Sequence, residues 1–128
     1  MTRVFIIIAG LAGLLAVALG AFAAHGLRGQ IDANLLAAFN TGVQYQMYHA
    51  LALLLVAVLS QQLPGQKLLY GCGYFFIAGM LLFSGSLYGL ALTGAKWLGP
   101  ITPIGGLAFM FGWLLMVCAA FKFKTVKK

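Results

Sequence analysis

Four long apolar blocks are the feature that most limits how this chain can fold. They run over about 4–24, 41–60, 68–93 and 103–121, and each is near or above the ~20 residues that an α-helix needs to cross a bilayer. The chain is 63% hydrophobic and 7% charged, which is too few charges to cover the surface of a soluble domain. We therefore predict an all-α integral membrane protein. It is a compact bundle of four transmembrane helices with short loops, in a single domain over 1–128.

The first block could be mistaken for a signal peptide, because Arg3 precedes it and the stretch "AFAA" imitates a cleavage site. Its apolar run of about 20 residues is longer than the ~7–15 of a signal-peptide core. A retained membrane helix is therefore favoured over a cleaved leader.

The connections carry recognisable start and stop signals. Asp32 can cap a helix that runs along the interface over 33–40 and then enters the second span. Pro64 and Gly65 turn the chain before the third span. Before the fourth, Thr102 is placed to cap a helix whose first residue is Pro103.

The basic residues predict the orientation. Four spans put both termini on one side, with Arg3, Lys67, Lys122, Lys124, Lys127 and Lys128, whereas the other side holds Arg28 and Lys96. The positive-inside rule then places both termini in the cytoplasm. The C-terminal lysines are expected to contact anionic lipids, and they explain the net charge of +7 better than nucleic-acid binding does.

Small residues recur at helical spacing and indicate close helix packing, since helices in lipid associate through shape and interhelical hydrogen bonds. The first span has Ala12, Ala16, Gly20 and Ala24, the third Gly85, Gly89 and Thr93, and the fourth Ala108 and Gly112. We assign helix packing to Gly20, Gly85, Gly89 and Gly112.

A polar cluster opens the second span. At ~100° per residue, Thr41, Gln44, Tyr45, Tyr48 and His49 share one broad face, with Gln46 at its edge. His49 is eight residues from Thr41, a depth of roughly 12 Å. Ser84 and Ser86 of the third span lie at a similar level, roughly 10–14 Å from its outer end. Ser84 and Tyr88 share one face of that span.

Two interpretations of this cluster stay open. It is either an interhelical hydrogen-bond network that fixes helix register, or a small outward-facing pocket. The pocket would bind a ligand at Gln44, Tyr45, Tyr48, His49, Ser84 and Tyr88.

Other chemistries have weaker support. No span contains an internal carboxylate, which argues against an ion-coupled transporter and a Ser–His–Asp hydrolase. A Ser–His dyad could be drawn from Ser84 or Ser86 with His49, and His25 with His49 would make a poor metal or haem site. Cys72 and Cys118 are expected to be separate thiols. We predict no cofactor and no metal.

Four stretches together resemble the YgdD/YwdK-type family of small bacterial inner-membrane proteins, whose domain has no assigned function and which has eukaryotic relatives. They are "GAFAAHGL" (20–27), "TGVQYQMYHALALL" (41–54), "GMLLFSGSLYGLALTG" (79–94) and "ITPIGGLAFMFGW" (101–113). The resemblance covers nearly the whole chain. It implies four spans in the bacterial inner membrane and implies no activity.

The sequence thus favours a non-enzymatic membrane protein that serves as an accessory or scaffold subunit, with another membrane protein or further copies of itself as partner. The alternative is a carrier or receptor for a small neutral or lipidic ligand in the polar pocket.

Overall fold

A computed structural model describes residues 1–123, and every regular element in that range is helical. Four of the helices are long and apolar enough to cross a membrane: α1 (Thr2–Leu27), α2 (Ala33–Gln62), α3 (Lys67–Thr93) and α4, whose regular part is Ile101–Phe121 after a 3-10 turn at Lys96–Leu98. The prediction of an all-α membrane protein with four spans is confirmed. The predicted lipid contacts of Lys124, Lys127 and Lys128 lie outside the described residues.

The second helix is continuous from its cap. Asp32 Oδ1 accepts the backbone N–H of Asn34 at 2.7 Å, as expected for an N-cap residue. The segment predicted along the interface at 33–40 is the first part of this same helix and runs straight into the span.

The fourth helix begins at Ile101, so the prediction that Thr102 caps it is wrong. Pro100 precedes it in helical backbone geometry with φ −65°, which lets the helix start before Thr102. Thr102 therefore lies inside the first turn, where its Oγ1 is 2.6 Å from Ser86 Oγ on α3.

Two helices contain wider π-helical turns, at Ala23–Leu27 in α1 and at Met80–Ser84 in α3. A π turn adds a residue to the helix and so rotates everything that follows it relative to the preceding turns. In α3 the turn comes immediately before the segment that faces the polar residues of α2. It therefore sets which side chains of α3 reach α2.

Helices α2 and α3 form the centre of the bundle, with α1 packed mainly on α2 and α4 mainly on α3. One apolar cluster around Phe5, Leu53 and Phe76 fills the end of the bundle that carries the termini. A smaller one around Phe39 and Ala91 fills the far end. The polar side chains of α2 lie between these two clusters.

Glycines allow α3 and α4 to approach closely. A Cβ at Gly105 would overlap the backbone nitrogen of Phe83, and one at Gly112 would lie 2.8 Å from the ring of Phe76. Of the other three glycines assigned to packing, Gly20 has Val43 at ordinary contact distance and Gly89 lies against Leu98 of the loop. Nothing comes within 4 Å of a Cβ at Gly85, so the assignment of Gly85 to helix packing is wrong.

Candidate functional site: a polar layer across the bundle

The inward face of α2 is a regular stripe. Its buried residues include Gly42, Gln46, His49, Leu53, Val56 and Ser60, in alternating steps of four and three residues. These steps follow the repeat of a helix that packs on its neighbours along one seam. Three polar side chains lie on this stripe: Gln46 with 7%, His49 with 4% and Ser60 with 4% of the surface exposed. Gln46 and His49 are the two that hydrogen-bond to other helices.

Gln46 joins three helices. Its Nε2 donates to the carbonyl oxygen of Ala12 on α1 at 2.8 Å, and its Oε1 accepts the hydroxyl of Tyr88 on α3 at 2.7 Å. The ring of Tyr88 reaches across α2 at Gly42, where a Cβ would lie 2.9 Å from its Cε1. Because Gly42 has no side chain, the ring of Tyr88 can pass close to α2 and its hydroxyl can reach Gln46.

His49 joins α2 to α4. Its Nε2 accepts the indole N–H of Trp113 at 3.1 Å, and its Nδ1 lies 2.8 Å from the carbonyl oxygen of Tyr45. Because an indole N–H only donates and a carbonyl only accepts, the ring is neutral with its proton on Nδ1. The ring also stacks on Phe109 with centroids 3.6 Å apart. Both ring nitrogens are thus engaged.

Two serines of α3 complete the layer. Ser84 Oγ donates to the carbonyl oxygen of Gly42 on α2 at 2.6 Å. Ser86 Oγ is 2.9 Å from the carbonyl oxygen of Phe83 and shares a hydrogen bond with Thr102 on α4. Each of the four helices therefore takes part in at least one polar contact between helices.

The six residues predicted to form one pocket are not brought together. His49 and Ser84 are buried and Tyr88 is half-buried, but Gln44 and Tyr48 are exposed, Tyr48 with 55% of its surface. The prediction that their shared face points into the bundle is therefore wrong for Gln44 and Tyr48.

The packing of α2 explains why Gln44 and Tyr48 point outward. Bulky apolar residues farther along α2, such as Leu53 and Val56, fix its rotation, and that rotation turns Gln44 and Tyr48 away from α1 and α3. Tyr45 is also exposed, with 39% of its surface, although its ring lies against Phe83.

Gln46, the residue that contacts most helices in the layer, was missing from the predicted site. The signal that identifies it is the four-three spacing from Gly42 to Ser60. That spacing extends beyond the polar stretch and includes Gln46 while leaving out Gln44.

The proposed Ser–His pairings do not form. The Ser84 hydroxyl is bonded to Gly42 and that of Ser86 to Thr102, while Nε2 of His49 is occupied by Trp113. His25 is exposed near the end of α1, whereas His49 is buried in the layer. Cys72 and Cys118 are free thiols, the first buried and the second exposed.

At least three grooves run along the outside of residues 1–123. The largest of these three, about 760 Å³, lies between α3 and α4 and is lined only by apolar side chains. A second, about 460 Å³, lies between α1 and α2 and is also apolar. The third, about 390 Å³, lies between α1 and α3 and includes Gln46 and Tyr88 in its lining.

Comparisons with known proteins agree with this architecture. A family model described as "Protein of unknown function (DUF423)" matches residues 19–106. UPF0382 membrane protein YwdK of Bacillus subtilis is 50% identical over 121 residues, which are 94% of this chain and 98% of that protein. UPF0382 membrane proteins of Staphylococcus aureus strain bovine RF122 and Staphylococcus haemolyticus are 46% and 42% identical over the same shares of the chains. No solved structure gives a significant match.

Proposed function

The chain belongs to the DUF423 family of small membrane proteins, and from that premise we propose that it is a non-enzymatic accessory or scaffold subunit. It acts by packing against another membrane protein. The relatives are membrane proteins without an assigned activity, so the proposal depends on the geometry of the chain itself.

The proposal is supported by the hydrogen bonds that the buried polar side chains make within the chain. Five polar side chains are buried in the described part of the chain, and Gln46, His49, Ser84 and Ser86 all have partners within it; Ser60 has none. A nucleophile or base must have a free lone pair facing a substrate. In this layer Nε2 of His49 accepts the indole N–H of Trp113, and the hydroxyl of Ser84 donates to the carbonyl oxygen of Gly42. Both groups hold helices together, which supports a structural role.

The groove between α3 and α4 is the surface best suited to a partner helix. It is the largest of the three grooves, and small residues lie in it (Ala78 and Ala108) between larger ones such as Phe75 and Phe111. Small residues beside large ones give the uneven surface that lets helices interlock in lipid, where van der Waals contact drives association.

We further propose that the protein lies in the bacterial inner membrane with both termini in the cytoplasm. Arg3, Lys67 and Lys122 flank the spans on the side of the termini, whereas Arg28 and Lys96 lie in the two connections on the other side. This asymmetry follows the positive-inside rule. Anionic lipids at the cytoplasmic surface would attract the basic C-terminal tail.

Site-specific photocrosslinking tests the partner surface. A photoreactive amino acid replaces Met110 in the α3–α4 groove or, as the control, Leu14 on α1, since both side chains are 66% exposed. After irradiation of intact cells, we expect a discrete protein adduct from position 110 and none from position 14. Crosslinking to lipid alone at position 110, or the same adducts from both positions, would contradict the proposal.

The mass of the adduct identifies the kind of partner. An adduct at twice the mass of the chain means a scaffold built of its own copies, whereas a different mass means a second protein. Native mass spectrometry of gently solubilised membranes should then retain the same partner. Filling the groove with Ala108→Phe should reduce that retention.

A further inference from the structure

The groove between α1 and α3 differs from the other two because its lining is not entirely apolar. It extends from Ile8 to Leu19 along α1 and from Ile77 to Tyr88 along α3. Each stretch advances 11 residues, or about 16 Å along a helix axis. The groove is therefore long and narrow, parallel to the helices and open to the hydrocarbon of the membrane.

Gln46 forms part of the lining between these two helices, and its amide has unused capacity. Nε2 carries two N–H groups, and one partner, the carbonyl oxygen of Ala12, is found for it among residues 1–123. The side chain is more than nine-tenths buried, so water does not supply the second partner freely. An N–H left without an acceptor in an apolar setting costs about 1–3 kcal/mol.

The residues that line the groove define which ligand could bind there and accept the free N–H of Gln46. None of its lining residues is charged, so a charged headgroup would have no counter-ion there. Its length and apolar walls suit an extended hydrocarbon chain. The N–H needs an oxygen acceptor carried by that chain.

We infer that the groove between α1 and α3 binds an uncharged segment of a lipid whose oxygen accepts the second N–H of Gln46. This binding goes beyond the proposed scaffold role and does not depend on it. The oxygen has two possible sources, an ester of a bilayer phospholipid or a separate neutral lipid. Both present the same acceptor to Gln46.

Gly85 is a suitable position for a substitution that blocks the groove. It lines the groove, and nothing lies within 4 Å of a Cβ built on it, so Gly85→Leu places a side chain in the groove without a clash at its Cβ. Gly13→Leu is the matched control, because Gly13 is equally free of neighbours and lines the α1–α2 groove instead. Both variants add the same side chain to a membrane helix.

Lipid that remains bound after detergent washing is then quantified by mass spectrometry for the wild type and both variants. We expect one lipid class enriched on the wild type and on Gly13→Leu, and a loss of at least about tenfold on Gly85→Leu, equivalent to about 1.4 kcal/mol. Retention by Gly85→Leu at the wild-type level would overturn the inference. So would bound lipid on the wild type that matches the bulk composition of the membrane.

Reconstitution separates the two sources. The protein is placed in vesicles of phosphatidylethanolamine and phosphatidylglycerol, with or without the neutral-lipid fraction of the native membrane, and repurified. Retained phospholipid in the vesicles without the neutral-lipid fraction assigns an ester oxygen, and retention only when that fraction is present assigns a neutral lipid. Gln46→Leu, measured in the successful arm, should weaken retention; full retention by a folded Gln46→Leu would contradict the role of the amide. If that variant does not fold, Gly85→Leu decides the question.

Discussion

Trp113 on α4 donates its indole N–H to Nε2 of His49 on α2 at a distance of 3.1 Å. This bond leaves the proton of the imidazole on Nδ1, where the carbonyl oxygen of Tyr45 accepts it at 2.8 Å. The one histidine inside the bundle therefore connects helices and fixes the position of its own ring.

The tautomer of His49 is the first testable consequence. In ¹⁵N NMR of histidine-labelled protein, we expect His49 to show the neutral form protonated at Nδ1, with exposed His25 serving as the internal reference. Trp113→Phe removes the donor and should shift the Nε2 resonance of His49 while lowering stability by about 0.6–2 kcal/mol. An Nε2-protonated ring in the wild type would show that the bond to Trp113 is absent.

Two tyrosines on neighbouring helices give a matched test of the polar layer. Tyr88→Phe removes the hydroxyl that Gln46 accepts and should lower the free energy of unfolding by about 0.6–2 kcal/mol. Tyr48→Phe removes a hydroxyl from an exposed side chain and should change it by less than about 0.5 kcal/mol. Unfolding in mixed detergent micelles, followed by circular dichroism, compares the two. Equal losses would mean that the hydroxyl of Tyr88 has no special role.

The contrast between exposed Gln44 and buried Gln46 shows which features of the fold can be predicted from the sequence. Four long apolar runs were enough to predict the class of the fold, because a chain in lipid must satisfy its backbone within helices. The angles of the polar residues alone do not predict the rotation of α2, because that rotation follows the longer apolar seam through Leu53 and Val56.

The π turn at Met80–Ser84 marks a second limit. An ideal period of 3.6 residues carried through α3 assigns later residues to the wrong face once a turn holds an extra residue. Gly85 is the first residue after the turn and lies in open space, so its helical spacing to Gly89 and Thr93 does not identify a packed face. No proline in the local sequence marks this irregularity.

Two adjacent glycines test the close approach of α3 and α4. A Cβ at Gly105 would overlap the backbone of Phe83, which cannot rotate away, so Gly105→Ala should reduce stability by about 1–3 kcal/mol. At Gly106 the nearest atom to a Cβ is in the ring of Phe83 at 3.8 Å, and alanine there also favours the helix. Gly106→Ala should therefore cause no loss. A tolerated Gly105→Ala would mean that the two helices are farther apart than the structure shows.

Cysteine accessibility tests the proposed orientation. In a background with Cys72 and Cys118 replaced by alanine, Lys96→Cys lies in the connection before α4, and Lys67→Cys lies at the start of α3 on the opposite side. A membrane-impermeant maleimide added to intact spheroplasts should label position 96 and leave position 67 unlabelled until the membrane is opened. The reason is the distribution of basic residues, with six on the side of Lys67 (Arg3, Lys67, Lys122, Lys124, Lys127 and Lys128) and two on the side of Lys96 (Arg28 and Lys96). The reverse pattern would place both termini outside, and labelling of both positions before opening would indicate a mixed topology.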